Sequence, residues 1–189
     1  DFVKNIQLFY GEDFDVMSHP SYAWLSRVFV MQDPPQHTRV RGLVSGALSL
    51  KRIRAMEPRV RQLAVKLLDD FALSGSENFI TDFAYQFPTR VMCNMLGMSD
   101  EDYPPELLLQ LNQAIADSFV VFETRALSQA ELEHADAQMR FLTGVFDELF
   151  ARRRSHPRDD LTTAMLESQE GGDVLTPEEL STSVIGIFG

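Results

Sequence analysis

Apolar side chains recur every three or four residues along most of the chain, which is the spacing of one buried face of an α-helix. The clearest stripes are Val40, Leu43, Val44 and Ala47, and then Ile53, Met56, Val60, Leu63, Leu67 and Phe71. No segment shows the strict alternation expected of a half-buried strand, and no fixed-period repeat is present. The sequence therefore predicts an all-α fold, a non-repeating helical assembly.

Capping residues and helix breakers set the predicted helix bounds. Asp33 before two prolines, Ser49, Ser128 with Glu131, and Thr176 with Pro177 and Glu179 are predicted starts, while Gly75 and Gly97 are predicted ends. These signals predict helices over residues 33–48, 49–74, 79–97, 100–122, 128–154, 160–168 and 176–189. Asp100 and Glu101 suit a helix start, and Glu170 to Asp173 resembles a turn. Residues 1–32 are aperiodic, which predicts a long loop with one short helix near 21–27.

Composition narrows the function classes. With 189 residues, 44% of them hydrophobic, the chain predicts one domain, 1–189, which we expect to be incomplete because neither end carries a natural start or stop. No apolar run approaches the roughly 20 residues that span a bilayer, which predicts no membrane segment, and the first residues do not resemble a signal peptide. The single cysteine excludes an internal disulfide and favours a cytoplasmic protein. Zinc spacings, phosphate loops and nucleophile elbows are missing from the sequence.

Charge is distributed unevenly along the chain. The net charge is −11, yet the stretch from Arg39 to Lys66 carries +7 and the remainder −18. This asymmetry predicts a basic face suited to an anionic group or an acidic partner. The protein as a whole is too acidic for a general nucleic-acid binder, so no nucleic-acid partner is expected.

His37 and Arg41 are the strongest candidate binding residues. Their i, i+4 spacing places both side chains on one face of a helix. Both donate hydrogen bonds, which suits a carboxylate, and each charge-assisted bond contributes about 1.5 to 3 kcal/mol where water is partly excluded. From the spacing alone, the alternative of an ordinary solvated helix face stays open.

The residues around this pair resemble one family. The pattern Asp-Pro-Pro-x-His-x-x-x-Arg from Asp33 to Arg41, followed by Leu-Val, resembles the start of the C helix of bacterial cytochromes P-450, although Leu48 replaces a frequent phenylalanine. Residues 91–98, 152–161 and 175–180 resemble the E-helix end, the G-to-H connection and the start of the I helix. From about Phe29 onward, the chain follows the family order. The resemblance implies a central piece of the mainly α cytochrome P-450 fold.

The family assigns a role to each predicted segment. Residues 1–32 would form the B-C loop region, and the seven predicted helices would be C (33–48), D (49–74), E (79–97), F (100–122), G (128–154), H (160–168) and the start of I (176–189). In the family, the residues matching His37 and Arg41 hydrogen-bond the haem propionates. The oxygen-activating kink, the Glu-x-x-Arg pair and the cysteine loop of the family do not occur in this sequence.

The resemblance implies a haem-dependent monooxygenase that inserts one atom of dioxygen into an apolar organic substrate. The expected cofactor is haem, with its axial cysteine outside this sequence, and the expected electron donor is a ferredoxin or flavodoxin. No catalytic residue and no metal ligand is assigned within the chain, which we expect to be inactive alone. The alternative is a helical ligand-binding or regulatory module with a basic partner-binding face.

Other candidate residues have less support. Cys93 lies mid-helix without a nearby glycine-rich loop, so we interpret it as a buried structural thiol rather than a haem ligand. His19, His134 and His156 have no partners nearby in the sequence and are interpreted as solvent or loop residues rather than ligands. Phe14, Tyr22 and Trp24 in the early loop are expected either to line a substrate pocket or to pack in the core.

Overall fold

The computed structural model describes residues 2–99, 102–170 and 172–188 and is built almost entirely of helices. The α-helices are α1 (Phe2–Tyr10), α2 (Pro20–Arg27), α3 (Gln36–Ala47), α4 (Leu50–Ala55), α5 (Glu57–Ser74), α6 (Gln86–Met95), α7 (Pro105–Ser118), α8 (Gln129–Ser155), α9 (Leu161–Glu167) and α10 (Pro177–Phe188). Three short 3-10 turns span Val16–Ser18, Phe29–Met31 and Phe119–Phe122, and a π-turn spans Ile80–Ala84. Two short strands, β1 (Gln169–Glu170) and β2 (Asp173–Val174), form an antiparallel hairpin.

The longest helix, α8, forms the centre of the fold. Its 27 residues give a rod about 40 Å long, against which α2, α7, α9 and α10 pack. Leu142, Phe146 and Leu149 recur at helical spacing and are fully buried. The predicted capping box is present at its start, where the Ser128 hydroxyl accepts from the Glu131 amide and the Glu131 carboxylate accepts from the Ser128 amide. The predicted long helix is therefore confirmed.

A buried ion pair fixes the end of α8 to two other segments. The Arg153 guanidinium donates to the Asp160 carboxylate and, over 2.6 Å, to the Gly97 carbonyl oxygen. Both charged side chains are about 95% buried, at 5% and 6% exposure. Asp160 also caps α9 by accepting from the Thr163 amide at 2.8 Å. One arginine thus joins the end of α6, the end of α8 and the start of α9.

Other predicted helix signals are confirmed by the structure. The Ser49 hydroxyl caps α4 by accepting from the Arg52 amide, and Thr176 and Glu179 form a capping box at the start of α10. Gly75 ends α5 with a left-handed backbone, at φ 69°. Gly97, at φ 84°, follows the end of α6 in the same way.

The predicted bounds were wrong where a proline interrupts the helix. Asp33 is not the cap of α3, which begins at Gln36, because Pro35 disfavours helical geometry at Pro34. The predicted helix 49–74 is two helices, since Pro58 cannot continue the hydrogen bonding of α4. Pro88 has no amide hydrogen to donate to Ala84, and the backbone before it closes as a π-turn.

The ends of other predicted elements also differ. The early region contains a helix that was not predicted, α1, whose Phe2, Ile6 and Tyr10 pack against the core. The predicted helix 100–122 begins only at Pro105 as α7 and closes in a 3-10 turn from Phe119. Asp100, Glu101, Gly171 and Gly189, on which parts of the predictions fall, lie outside the described residues. The two residues that bound the predicted turn, Glu170 and Asp173, pair with each other in the short hairpin.

We expect Gly97→Ala in the full-length protein to lower the free energy of unfolding by at least about 2 kcal/mol. A side chain at this left-handed position would meet the Asp160 carboxylate and would lie 2.6 Å from a guanidinium nitrogen of Arg153. Urea unfolding monitored by circular dichroism measures the change.

The matched control is Gly144→Ala, because an added methyl group at this helical position has nothing within 4 Å. That variant should be unchanged or slightly more stable, since alanine favours helix. Equal stability of the two variants would contradict the assigned role of the buried ion pair.

Candidate functional site

The helix α3 positions His37 and Arg41 at one edge of its buried face. The predicted stripe is confirmed, because Val40, Leu43, Val44 and Ala47 are all buried. At 3.6 residues per turn, His37 and Arg41 are about 40° apart around the helix axis, on the same side of this stripe. His37 is half-buried and Arg41 is exposed. The two donors therefore share a direction at the rim of the core.

Arg39, between them in sequence, lies on the other side of the helix, roughly 160° from Arg41. Its guanidinium donates to Asp173 of the hairpin at 3.0 Å and also to Glu179 of α10. Glu179 accepts a further bond from Gln36 at 2.6 Å. These contacts join the start of α3 to the start of α10. The Arg39 guanidinium is therefore occupied by carboxylates of its own chain.

Arg41 makes no ion pair or side-chain hydrogen bond with any other part of the described chain. The His37 ring lies beside Phe29, with ring centroids 6.1 Å apart. The backbone amide of His37 donates to the Asp33 carbonyl oxygen. Both side chains thus keep hydrogen-bonding capacity for a ligand. The structure places these two residues where one carboxylate-bearing group could contact both.

A buried carboxylate fixes the segment that leads to this pair. Asp136 of α8 accepts bonds from the Ser21 amide at 3.0 Å, the Ser21 hydroxyl at 2.6 Å and the His19 ring at 2.7 Å. Asp136 is 4% exposed, so these donors replace the water that its charge would otherwise need. The start of α2 is consequently held against α8.

Two of the remaining histidines have partners far away in the sequence. His19 has two neighbours, since its ring also stacks on Phe14 at 4.9 Å. His134 hydrogen-bonds Asp117 at 2.9 Å. Both hydrogen-bond partners are distant in sequence, by 117 and 17 residues, so they do not contradict the prediction that these histidines lack nearby partners. His134 is exposed and His19 lies in the connection before α2, in line with the interpretation as solvent or loop residues.

The aromatic residues of the early segment are mostly core residues. Tyr22 is 1% exposed and Trp24 is 5% exposed. Burial raises the pKa of the Tyr22 hydroxyl, which lies 3.0 Å from the Tyr10 hydroxyl. Trp24 stacks on Phe119 with ring centroids 5.7 Å apart. Of the two readings open for these aromatics, the structure favours core packing for Tyr22 and Trp24.

Cys93 lies within α6 and is fully buried, as interpreted from the sequence. Its position inside a helix and inside the core gives no open face for a metal ion or a flat cofactor. Across residues 2–99, 102–170 and 172–188, no group of three or more metal-binding side chains comes together.

The basic stretch forms an exposed surface on α4 and α5. Lys51, Arg54 and Arg59 are exposed. Arg52 differs, because it donates to the Ala47 carbonyl oxygen at 2.9 Å and so closes the end of α3. Arg61 pairs with Glu57 one turn earlier on α5. Arg52 and Arg61 therefore make contacts within the fold, while Lys51, Arg54 and Arg59 face solvent.

Known proteins show similarity over nearly the whole chain. A Xylella fastidiosa protein named cytochrome P-450 133B2 is 31% identical over 184 residues, which is 97% of this chain and 44% of that protein. The 6-deoxyerythronolide B hydroxylase of Saccharopolyspora erythraea is 34% identical over 151 residues, covering 79% of this chain and 35% of the relative. No family model matches the sequence.

Solved structures agree with these sequence relatives. The ligand-free structure of cytochrome P-450 TbtJ1 superposes with a TM-score of 0.70 at 27% identity, covering 98% of this chain and 47% of that one. The chain thus belongs to the cytochrome P-450 family and has a mainly helical part of its fold. It spans less than half the length of the relatives that it matches. None of the helices in the described part of the chain is both long and apolar enough to span a membrane.

Proposed function

We propose that this chain is the part of a haem-dependent monooxygenase that holds the haem propionates through His37 and Arg41. The observation that carries the proposal is the contrast between two arginines on one helix. Arg39 is bound by carboxylates of its own chain, while Arg41 has no partner among the described residues and lies one helical turn after His37. The donor set fits propionates, because a guanidinium fork and an imidazole both favour carboxylate oxygens.

In this proposal, each side chain has a defined task. Arg41 would donate a charge-assisted hydrogen bond to a propionate, and His37, half-buried beside Phe29, would donate a second bond. Haem would supply the oxygen and redox chemistry, while the protein binds and orients it. We propose that the axial thiolate comes from outside these 189 residues, since Cys93 is buried within α6. This part alone would then be inactive.

The proposed reaction inserts one atom of dioxygen into an apolar organic substrate. The relatives named above include a hydroxylase of 6-deoxyerythronolide B, which supports a hydroxylation of this general kind. The rings of Trp24, Phe119 and Phe122 pack together, and Phe122 is 40% exposed. With the early aromatics mostly buried, we propose that Phe122 and its neighbours, rather than Trp24, face the substrate.

We further propose that an acidic ferredoxin or flavodoxin docks on the exposed bases of α4 and α5 and that the protein is cytoplasmic. Lys51, Arg54 and Arg59 give a positive surface in an otherwise acidic chain. The alternative, a helical binding or regulatory module, would use the same surface. It gives no role to the uncommitted pair His37 and Arg41, so we favour the monooxygenase.

Arg41→Ala in the full-length protein should speed haem release by about tenfold to a hundredfold, because one propionate loses a charge-assisted bond of about 1.5 to 3 kcal/mol. His37→Ala should have a smaller effect in the same direction. Transfer of haem to excess apomyoglobin, followed by absorbance, measures the rate.

The matched control is Arg54→Ala, which removes the same charge from an exposed position on α4. Its haem release should equal that of the parent. Release rates of Arg41→Ala that match this control would refute the propionate assignment.

Reversing Arg54 and Arg59 together to glutamate should slow reduction by an acidic donor by about tenfold at low salt. The difference should shrink towards physiological ionic strength, where the Debye length is about 8 Å. Arg52 is left in place because it supports the end of α3. Stopped-flow reduction under carbon monoxide measures the rate.

The control reverses Arg27 and Arg140, which are exposed on α2 and α8, and so makes the same change in net charge elsewhere. If both double variants slow reduction equally, net charge rather than a docking surface is responsible, and the proposed surface is wrong.

A further inference from the structure

Helix α10 packs against the end of α2 at Gly186, where there is no room for a side chain. A methyl group placed on Gly186 would lie 2.9 Å from a γ-carbon of Val28 and 3.9 Å from the Trp24 ring. Separations under 3.0 Å for such a carbon are essentially not found in proteins. Glycine within a helix is otherwise unfavourable, so its presence here permits the contact.

Val28 cannot easily move away from a larger residue. It is 2% exposed, and its branched side chain has little rotational freedom in a packed core. It also ends α2 and begins the 3-10 turn Phe29–Met31. Trp24, one turn earlier, is held by stacking on Phe119. A larger side chain at position 186 would therefore displace Val28 together with the backbone that follows it.

The residue that follows is Phe29, whose ring packs beside the ring of His37. Phe29 is half-buried against the core, so its position depends on the backbone at Val28. A continuous set of contacts thus runs from Gly186 through Val28 and Phe29 to His37. Arg41 lies one turn further along α3, where its side chain is exposed.

We propose that Gly186 is a positioning residue for His37. Its missing side chain lets Val28 seat against α10, which sets Phe29 against the imidazole and fixes the direction in which His37 donates. This proposal rests on the proposed function, in which His37 holds a haem propionate. Gly186 would act on His37 indirectly, through Val28 and Phe29.

The experiment measures haem release from full-length Gly186→Ala. Release to apomyoglobin should be about fivefold faster than from the parent, because overpacking at Val28 displaces the His37 ring. Adding Val28→Ala, which removes the crowded methyl groups, should return the rate to within about twofold of the Val28→Ala single variant. Gly144→Ala, an open helical position, is the control and should match the parent.

A coupling test separates positioning from general loss of stability. In a His37→Ala background, Gly186→Ala should have no further effect on haem release, because the group it positions is gone. A fivefold effect that persists in this background would overturn the proposal, as would failure of Val28→Ala to relieve it. If Gly186→Ala does not fold with haem, Val28→Ile enlarges the same contact from the other side and should speed release in the same His37-dependent way.

The outcomes distinguish this proposal from the proposed function. Normal haem release from His37→Ala and Arg41→Ala would refute the propionate assignment itself. Faster release from those two variants with an unchanged rate in Gly186→Ala and Val28→Ile would leave the assignment intact and refute the positioning role alone.

Discussion

Helix α8 buries two charged side chains, Asp136 and Arg153, and the rest of the structure depends on the contacts that pair them. A buried ion without partners costs several kcal/mol, so each charge requires donors or acceptors from other segments. Asp136 obtains them from the start of α2, and Arg153 obtains them from Gly97 and Asp160. The packing of apolar side chains against α8 stabilises the fold but does not fix how the neighbouring helices are placed. The bonds to Asp136 and Arg153 specify which segments contact α8 and at which position.

The candidate site follows from this arrangement. Asp136 holds α2, the short turn after α2 carries Phe29, and Phe29 contacts the ring of His37 at the start of α3. From the opposite side, Arg39 joins α3 to Glu179 at the start of α10. The helix is therefore fixed along two of its edges. Arg41 remains directed outward with its hydrogen-bonding capacity unused by the described residues.

Local signals allowed much of the helical structure to be predicted from sequence. The buried stripe of α3 and the caps at Ser49, Ser128 and Thr176 each depend on residues within a few positions of one another. Prolines caused the errors in helix bounds at Pro34–Pro35 and Pro58. Proline suits the first turn of a helix, but it cannot continue a helix and it disfavours helical geometry in the residue before it. The helix α1 had a usable signal in Phe2, Ile6 and Tyr10, which was obscured by the aromatic-rich sequence around it.

Long-range partners could not be predicted. Nothing near His19 in the sequence indicates that Asp136 is its hydrogen-bond partner, and nothing near Arg39 indicates that Asp173 accepts from it. His37 and Arg41 themselves were predicted from their spacing and from the family resemblance, and their role stays a prediction. The structure adds that carboxylates of the chain bind Arg39, so Arg41 is the arginine of α3 without a partner among the described residues.

The most direct test of the account is the absorption spectrum of the full-length protein, reduced and treated with carbon monoxide, recorded for the parent and for Cys93→Ala. A thiolate-ligated haem bound by this fold should give the red-shifted Soret band from which the family takes its name, and the variant should give the same band because Cys93 is a buried structural thiol. A folded parent without this band would contradict the assignment as a haem-thiolate protein. Loss of the band only in Cys93→Ala would identify the ligand within this chain and refute the account of where the thiolate lies.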